Sequence, residues 1–160
     1  MKKIFMMLAI GALMFSCGEK KEEKKEDGFE MNRTKKEEAP KAEKQEGVPV
    51  DMSNKGVGPI KSLKLDGEIN ADMVAKGKEA FNKCIACHTV DTRLIGPALK
   101  GVMERRSPEW VMNMMLNPDG MLKEDPIAKA LFKEYNNALM TNQGLTEEEA
   151  RSILEYFRTL

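Results

Sequence analysis

Apolar positions recur at helical spacing in four places along the second half of the chain. Met73, Gly77 and Phe81 follow Asn70 and Asp72 at four-residue intervals and form one stripe. Ser107-Pro108 offers an N-cap followed by a first-turn proline, and the helix it predicts stops at Asn117-Pro118. Asp125-Pro126 repeats that start, with Ile127, Leu131 and Tyr135 on one face. The best-marked start is Thr146-Glu147-Glu148-Glu149. There the Thr146 hydroxyl can accept the third backbone N–H while Glu149 reaches back to the Thr146 N–H. Leu145 and Ala150 can staple this turn, and Ile153, Leu154 and Phe157 form the core stripe behind it. No stretch alternates apolar and polar residues long enough to predict a strand, so the predicted fold class is all-α.

The first half is patterned differently. Lys2 and Lys3 precede a 12-residue apolar run, Ile4 to Phe15, and then Ser16-Cys17-Gly18. At about 1.5 Å per residue that run is too short for the roughly 30 Å of a bilayer core, which argues against a transmembrane helix. Leu13-Met14-Phe15-Ser16-Cys17 resembles a bacterial lipoprotein signal, which implies cleavage after residue 16 and lipidation of Cys17. Met14 and Phe15 depart from the tight form of that signal. From Glu19 to Glu46 the chain holds nine basic and ten acidic residues and no branched aliphatic one. Such a segment buries too little apolar surface to offset the entropy of ordering, so residues 17–47 read as an anchor and a disordered charged tether. Residues 48–69, with Pro49, Gly56, Gly58, Pro59 and Gly67, read as an irregular lead-in that drapes on a domain spanning 70–160.

Composition narrows the chemistry. The 160 residues suit one domain, and 26 basic residues balance 26 acidic ones, which gives no electrostatic footprint for nucleic acid. Three cysteines and a single histidine are the informative residues. Cys84-Ile85-Ala86-Cys87-His88 has the Cys-x-x-Cys-His spacing of covalent haem c attachment. Two thiols one helical turn apart can add to the two vinyl groups of one porphyrin, and the adjacent imidazole then meets the iron. A structural zinc site needs four ligands, and only Cys84, Cys87 and His88 remain once Cys17 is set aside. A redox dithiol would need a βαβ setting that the pattern does not provide, and a Cys84–Cys87 disulfide would close a very small loop.

With one histidine, the second axial position of the iron falls to methionine, which raises reduction potential, or to lysine more rarely. Of 13 methionines, Met112, Met114 and Met115 fall within the second predicted helix, and Met73 and Met103 read as packing. Met140 lies in the expected loop 136–144, 52 residues after His88 and just before the capped last helix. A loop held between packed helices can aim a sulfur over a haem face, so Met140 is the expected ligand. Met121, read as a loop residue after Asn117-Pro118-Asp119-Gly120, is the competitor, and an open sixth site is the third possibility.

Taken in order, Gly77, Phe81, Cys84-x-x-Cys87-His88, Gly96-Pro97-Ala98-Leu99, Met140, Tyr156 and Phe157 resemble a class I cytochrome c over Asn70 to Leu160. The resemblance implies a small helical bundle around one covalent haem c, with first and last helices crossing at Gly77, Phe81 and Tyr156. It also implies that the Pro97 carbonyl accepts a hydrogen bond from the His88 ring. Many relatives have Met-Pro at the ligand, where this chain has Met140-Thr141. Trp110, Arg105 and Arg106, and Arg93 after the motif, are candidate donors to the haem propionates, against core packing for Trp110 and a solvated face for the arginines.

The function expected on these grounds is single-electron transfer by a lipid-anchored, extracytoplasmic carrier, and not an enzyme. Its partners would be redox proteins, such as a terminal oxidase or an extracytoplasmic reductase, met by a monomer. The alternative is a haem enzyme or gas sensor with an open iron site, although no second histidine exists to serve peroxide chemistry.

Overall fold

The first helix, α1 (Ala71–Ala80), is capped by Asn70, whose side chain accepts the Met73 N–H at 3.0 Å. The chain then tightens into a 3₁₀ turn, Phe81–Lys83, so Phe81 ends the predicted stripe just outside the α-helix. Five further helices follow: α2 (Val102–Arg105), α3 (Pro108–Leu116), α4 (Pro118–Glu124), α5 (Pro126–Glu134) and α6 (Glu147–Phe157). This computed structural model describes residues 47–160; the predicted signal, the lipidated Cys17 and the charged tether up to residue 46 lie outside the described residues. Among the described residues there is no strand, only an isolated bridge between Asp51 and Arg106. No helix there is long and apolar enough to cross a membrane.

The three caps read from the sequence are formed. Ser107 Oγ accepts from the Trp110 N–H at 3.1 Å, and Asp125 Oδ1 accepts from the Ala128 N–H at 2.7 Å. Thr146 and Glu149 exchange the two bonds of a capping box. Two helices were not expected. Val102–Arg105 is a single turn, entered through Gly101 at φ 66°, too short to show a period. Pro118–Glu124 corrects the placement of Met121 in a loop. Asn117-Pro118 stops α3, but proline at the first helical position also starts a helix, because its missing N–H is one no helix could satisfy. Met121 is therefore helical and fully buried.

α1 crosses α6 at Gly77, where any Cβ would collide with the Ser152 carbonyl of α6. Phe81 packs there on Tyr156 (ring centroids 5.7 Å apart) and edge-on against Phe157 (5.8 Å). The crossing also holds a buried carboxylate, Glu155, which accepts from the Asn70 N–H at 2.9 Å and pairs with Arg151 and Arg158. One side chain thus ties the start of α1 to the middle and the C-terminal end of its own helix.

The lead-in has no regular structure, so each of its buried N–H and C=O groups needs a partner from elsewhere. α3 and α4 supply several. Asn113, with no exposed surface, accepts from the Ile60 N–H and donates to the carbonyls of Lys55 and Ile60, each at 2.9 Å. Asn117 donates to Val57 O, Ser107 to Asn54 O, and Glu109 accepts from the Leu63 N–H. Val48 and Ile60 enter the core, so packing begins well before Asn70. Gly56, at φ 72°, rests against Met121; a Cβ there would stand 2.7 Å from the sulfur.

Candidate functional site

A cleft enclosing about 1350 Å³, including its solvent-filled mouth, opens between the residues after α1, helices α3 and α5, and the segment after α5. Its walls are mainly apolar, with Leu99, Val111, Met115, Leu131 and Phe157 among them. Cys84, Cys87 and His88 all reach it. They sit on one helical turn: the N–H groups of Cys87 and His88 both donate to the Cys84 carbonyl, at 3.0 and 2.9 Å. Neither thiol is in a disulfide. Burial pushes the Cys84 thiol above its ordinary value, against an opposing pull from Lys83.

His88 is fixed by the chain beyond it. Its Nδ1 lies 2.9 Å from Pro97 O. A carbonyl only accepts, so Nδ1 carries the proton and Nε2 keeps its lone pair, the form that binds a metal. Burial lowers the imidazole's affinity for a second proton, and the Pro97 bond only partly offsets this. Gly96 packs flat on the ring; a Cβ at that position would collide with the imidazole. The Gly96 N–H returns to Cys87 O at 2.8 Å, which closes the loop on the cysteine turn. The Gly96-Pro97 pair thus has two separate roles, one steric and one as acceptor.

Met140 lines the same cleft from the segment between α5 and α6, half-buried, in a stretch without regular structure. That stretch is entered through Asn136 and Asn137, both left-handed at φ 56° and 59°, where asparagine is the best tolerated residue after glycine. The Met-Pro stiffening of many relatives is replaced by Gln143, whose Nε2 donates to Thr141 Oγ1 (2.8 Å) and Thr141 O (3.1 Å). Met121 is absent from the lining. Its sulfur faces the lead-in and accepts the Val57 N–H.

The propionate candidates divide. Trp110 reaches the cleft wall, but its single N–H donates to Asp125 Oδ1 at 3.1 Å, so the indole is a core residue and not a spare donor. Asp125 also takes the Asn54 amide at 2.6 Å through its other oxygen. Arg105 and Arg106 are buried and line the cleft, not a solvated face. Arg105 binds the carbonyls of Lys100 and Ala98, and Arg106 binds Pro49 O and covers the Trp110 ring. Arg93 lies outside the lining, paired with Glu134 and stacked on Tyr135 at 4.1 Å. Gln143, and the bond that Asp125 makes to Trp110, were missed by sequence reasoning. Asp125 signalled its cap through Asp-Pro, but nothing local announces a second bond to a tryptophan 15 residues away.

The donor set fits a covalently attached haem: two thiols one turn apart, an imidazole presenting Nε2, a thioether and apolar walls. A helical bundle with these features is a small haem-binding fold. The Cytochrome c family model matches residues 74–160, and the chain belongs to the cytochrome c family, whose members carry covalent haem c and generally transfer electrons. Two cytochrome c2 proteins of Rhodopseudomonas palustris are 46% and 26% identical over 110 residues, covering 54% of this chain and 96% of their own. Among solved structures, cytochrome c from Rhodothermus marinus is 48% identical, with TM-score 0.62 over 64% of this chain and 88% of its own. An engineered form of that cytochrome, bound to a carbene intermediate, superposes with TM-score 0.59 at 47% identity, over 64% of this chain and 88% of its own.

Proposed function

We propose that this protein is an extracytoplasmic electron carrier whose haem c is held by thioether bonds from Cys84 and Cys87 and ligated by His88 and Met140. When bound, the haem supplies a reversible one-electron Fe(III)/Fe(II) couple. The observation that carries the reading is one apolar cleft reached by both thiols, by the His88 ring locked on Pro97 O, and by Met140, while Met121 faces elsewhere. Apolar walls exclude water, and the Pro97 bond orients His88 and raises its basicity as a ligand. Arg105 and Arg106, buried in the same wall, would offer positive charge to the propionates of a bound haem. The lipoprotein-like segment ending at Cys17 and the charged tether support attachment to a membrane of the cell envelope, with the head free to meet redox proteins such as a terminal oxidase or an extracytoplasmic reductase. A Cys17→Ser variant is expected to move haem-loaded protein from membranes to the soluble envelope fraction; retention in membranes overturns the anchor.

The test of attachment is a pyridine haemochrome spectrum on denatured protein. Haem retained with two thioether links is the expected result, and haem extractable by acid acetone rejects it. A second reading is favoured by the irregular backbone around Met140: displacing that loop opens the iron to small ligands, and an engineered Rhodothermus relative holds a carbene intermediate. Ready carbon monoxide binding by the unmodified ferrous protein would select this reading.

A further inference from the structure

The lead-in grips the wall of the cleft at several successive points. Val48 and Ile60 are both buried in the core, so this stretch is pinned at its two ends. Between them, Pro49 O accepts from Arg106 Nη1 at 3.0 Å, and Asp51 forms the isolated backbone bridge with Arg106. Asn54 O accepts from Ser107 Oγ at 2.6 Å, the same hydroxyl that caps α3 at the Trp110 N–H. The Asn54 amide also donates to Asp125 Oδ2 at 2.6 Å, while Asp125 Oδ1 takes the Trp110 ring N–H at 3.1 Å. Asp51 Oδ1 accepts from the Ser53 and Asn54 N–H groups, which folds residues 51–54 into a tight turn.

Arg106 and Trp110 are the cleft-lining residues at the end of these bonds, and the guanidinium lies 5.5 Å from the Trp110 ring centroid. None of residues 48–60 lines the cleft itself, so the stretch acts on it only through the side chains it holds. A buried guanidinium is costly unless it is paired and hydrogen-bonded. Burial and then the neighbouring Arg105 cation hold Arg106 below the ordinary arginine value, and Asp125 and Asp51 oppose them. One of those carboxylates belongs to the lead-in, and the other is bonded by its Asn54. A cation fixed in such a wall favours whichever state of a bound group carries more negative charge.

We propose that residues 48–60 are a positioning strap for the cleft: Pro49, Asp51 and Asn54 hold Arg106 and Trp110 in its wall and thereby raise the reduction potential of the bound haem. The inference rests on the electron-carrier reading above. None of the three touches the cleft, so each is a positioning residue that works through Arg106, Ser107 or Asp125. Loosening the strap lets the Arg106 cation leave its place in the wall, and the ferrous form loses that support.

Voltammetry and denaturant unfolding of the full-length holoprotein test this together. Asn54→Ala removes the bond to Asp125 and changes no charge. It is expected to shift the one-electron equilibrium roughly two- to fivefold toward the ferric form. Asn117→Ala removes a bond of the same kind further along the lead-in, to Val57 O at 3.0 Å, with neither residue on the cleft. It is expected to lower stability as Asn54→Ala does and to leave the potential unchanged. Arg106→Gln is expected to favour the ferric form on the order of tenfold, about 59 mV for one electron. In that background Asn54→Ala should add nothing, because the two changes act through one side chain. No shift from Asn54→Ala, equal shifts from both asparagine variants, or additive shifts with Arg106→Gln overturn the strap. The two asparagine variants decide the matter even if Arg106→Gln does not fold. A reversible one-electron wave accompanying any of those results leaves the carrier reading standing, whereas its absence from the unmodified protein removes the carrier reading itself.

Discussion

Met121 and Met140 both offer a thioether to the interior, but their backbones hold them in different ways. Met121 lies within α4, has no exposed surface, and uses its sulfur as an acceptor for Val57 of the lead-in. Met140 lies between helices, half-buried, with its side chain on the cleft. A helical methionine surrounded on all sides is a packing piece, and its flexible thioether fills an irregular gap. A loop methionine between two anchored helices is one whose sulfur can be aimed without breaking helical hydrogen bonds. The sequence spacing alone left both open, because Met121 follows a turn-like Asn-Pro-Asp-Gly and resembled a loop residue.

Truncating either side chain to a methyl group breaks the comparison most sharply. Met140→Ala is expected to abolish the long-wavelength charge-transfer band of a ferric haem bonded to thioether, to lower the reduction potential, and to admit carbon monoxide to the ferrous protein. Absorption spectra and voltammetry read all three. Global melting should move far less than the spectrum, since Met140 is only half-buried. Met121→Ala should invert that pattern. Removing a fully buried methionine typically costs about 2–5 kcal/mol, here with an orphaned Val57 N–H added, while the spectrum stays unchanged. Denaturant unfolding measures the loss. If Met121→Ala instead removed the band, the assignment of the two sulfurs would be reversed.

A smaller effect tests the α1–α6 crossing, whose second helix follows the Met140 segment. Burial drives the Glu155 pKa upward, but hydrogen bonds from Arg151, the Asn70 N–H and Arg158 outweigh it, so the net position is below the ordinary glutamate value. A carboxyl with a depressed folded pKa contributes stability that is present above its unfolded value and is lost as pH falls through the folded one. The α1–α6 crossing should therefore weaken in acid, below the ordinary glutamate range. Glu155→Gln should cost about 1–3 kcal/mol at neutral pH and flatten that acid limb. An unchanged pH profile of unfolding in the variant would show that Glu155 is not the group responsible.

What was legible in the sequence follows from the range of the interaction. Ser107-Pro108, Asp125-Pro126 and Thr146 to Glu149 announce their helices because a cap is decided within four residues. The Cys84–His88 turn is local in the same sense. α2 was too short for a period, and α4 was hidden because Pro118 both ends one helix and begins the next. Partners far apart in the chain could not be read at all: Asn113 reaches back 53 residues to Ile60, and Glu155 reaches 85 to Asn70. Asn117 was read only as a helix stop and Asn113 not at all, and the buried irregular backbone opposite them explains their chemistry.

The smallest effect concerns how Met140 stays aimed without the proline many relatives place after it. Gln143 bridges Thr141 through its hydroxyl and its carbonyl, at 2.8 and 3.1 Å, and Asn142 accepts the Gly144 N–H at 2.8 Å. These bonds are exposed, so each belongs at the weak end of the usual range, about 0.5 kcal/mol. Gln143→Ala removes both Gln143 bonds and touches no core side chain. Global stability should then stay within the scatter of surface substitutions, about 0.5 kcal/mol. The loop's preference for the closed position should fall by a similar amount, so an external ligand competing with Met140, such as imidazole, should bind roughly two- to fivefold more tightly. Thr141→Pro with Gln143→Ala should restore the original competition, since proline fixes φ without the amide. If Gln143→Ala left imidazole affinity unchanged, the clamp would be decorative, and the left-handed pair Asn136-Asn137 would be the remaining feature that sets the loop.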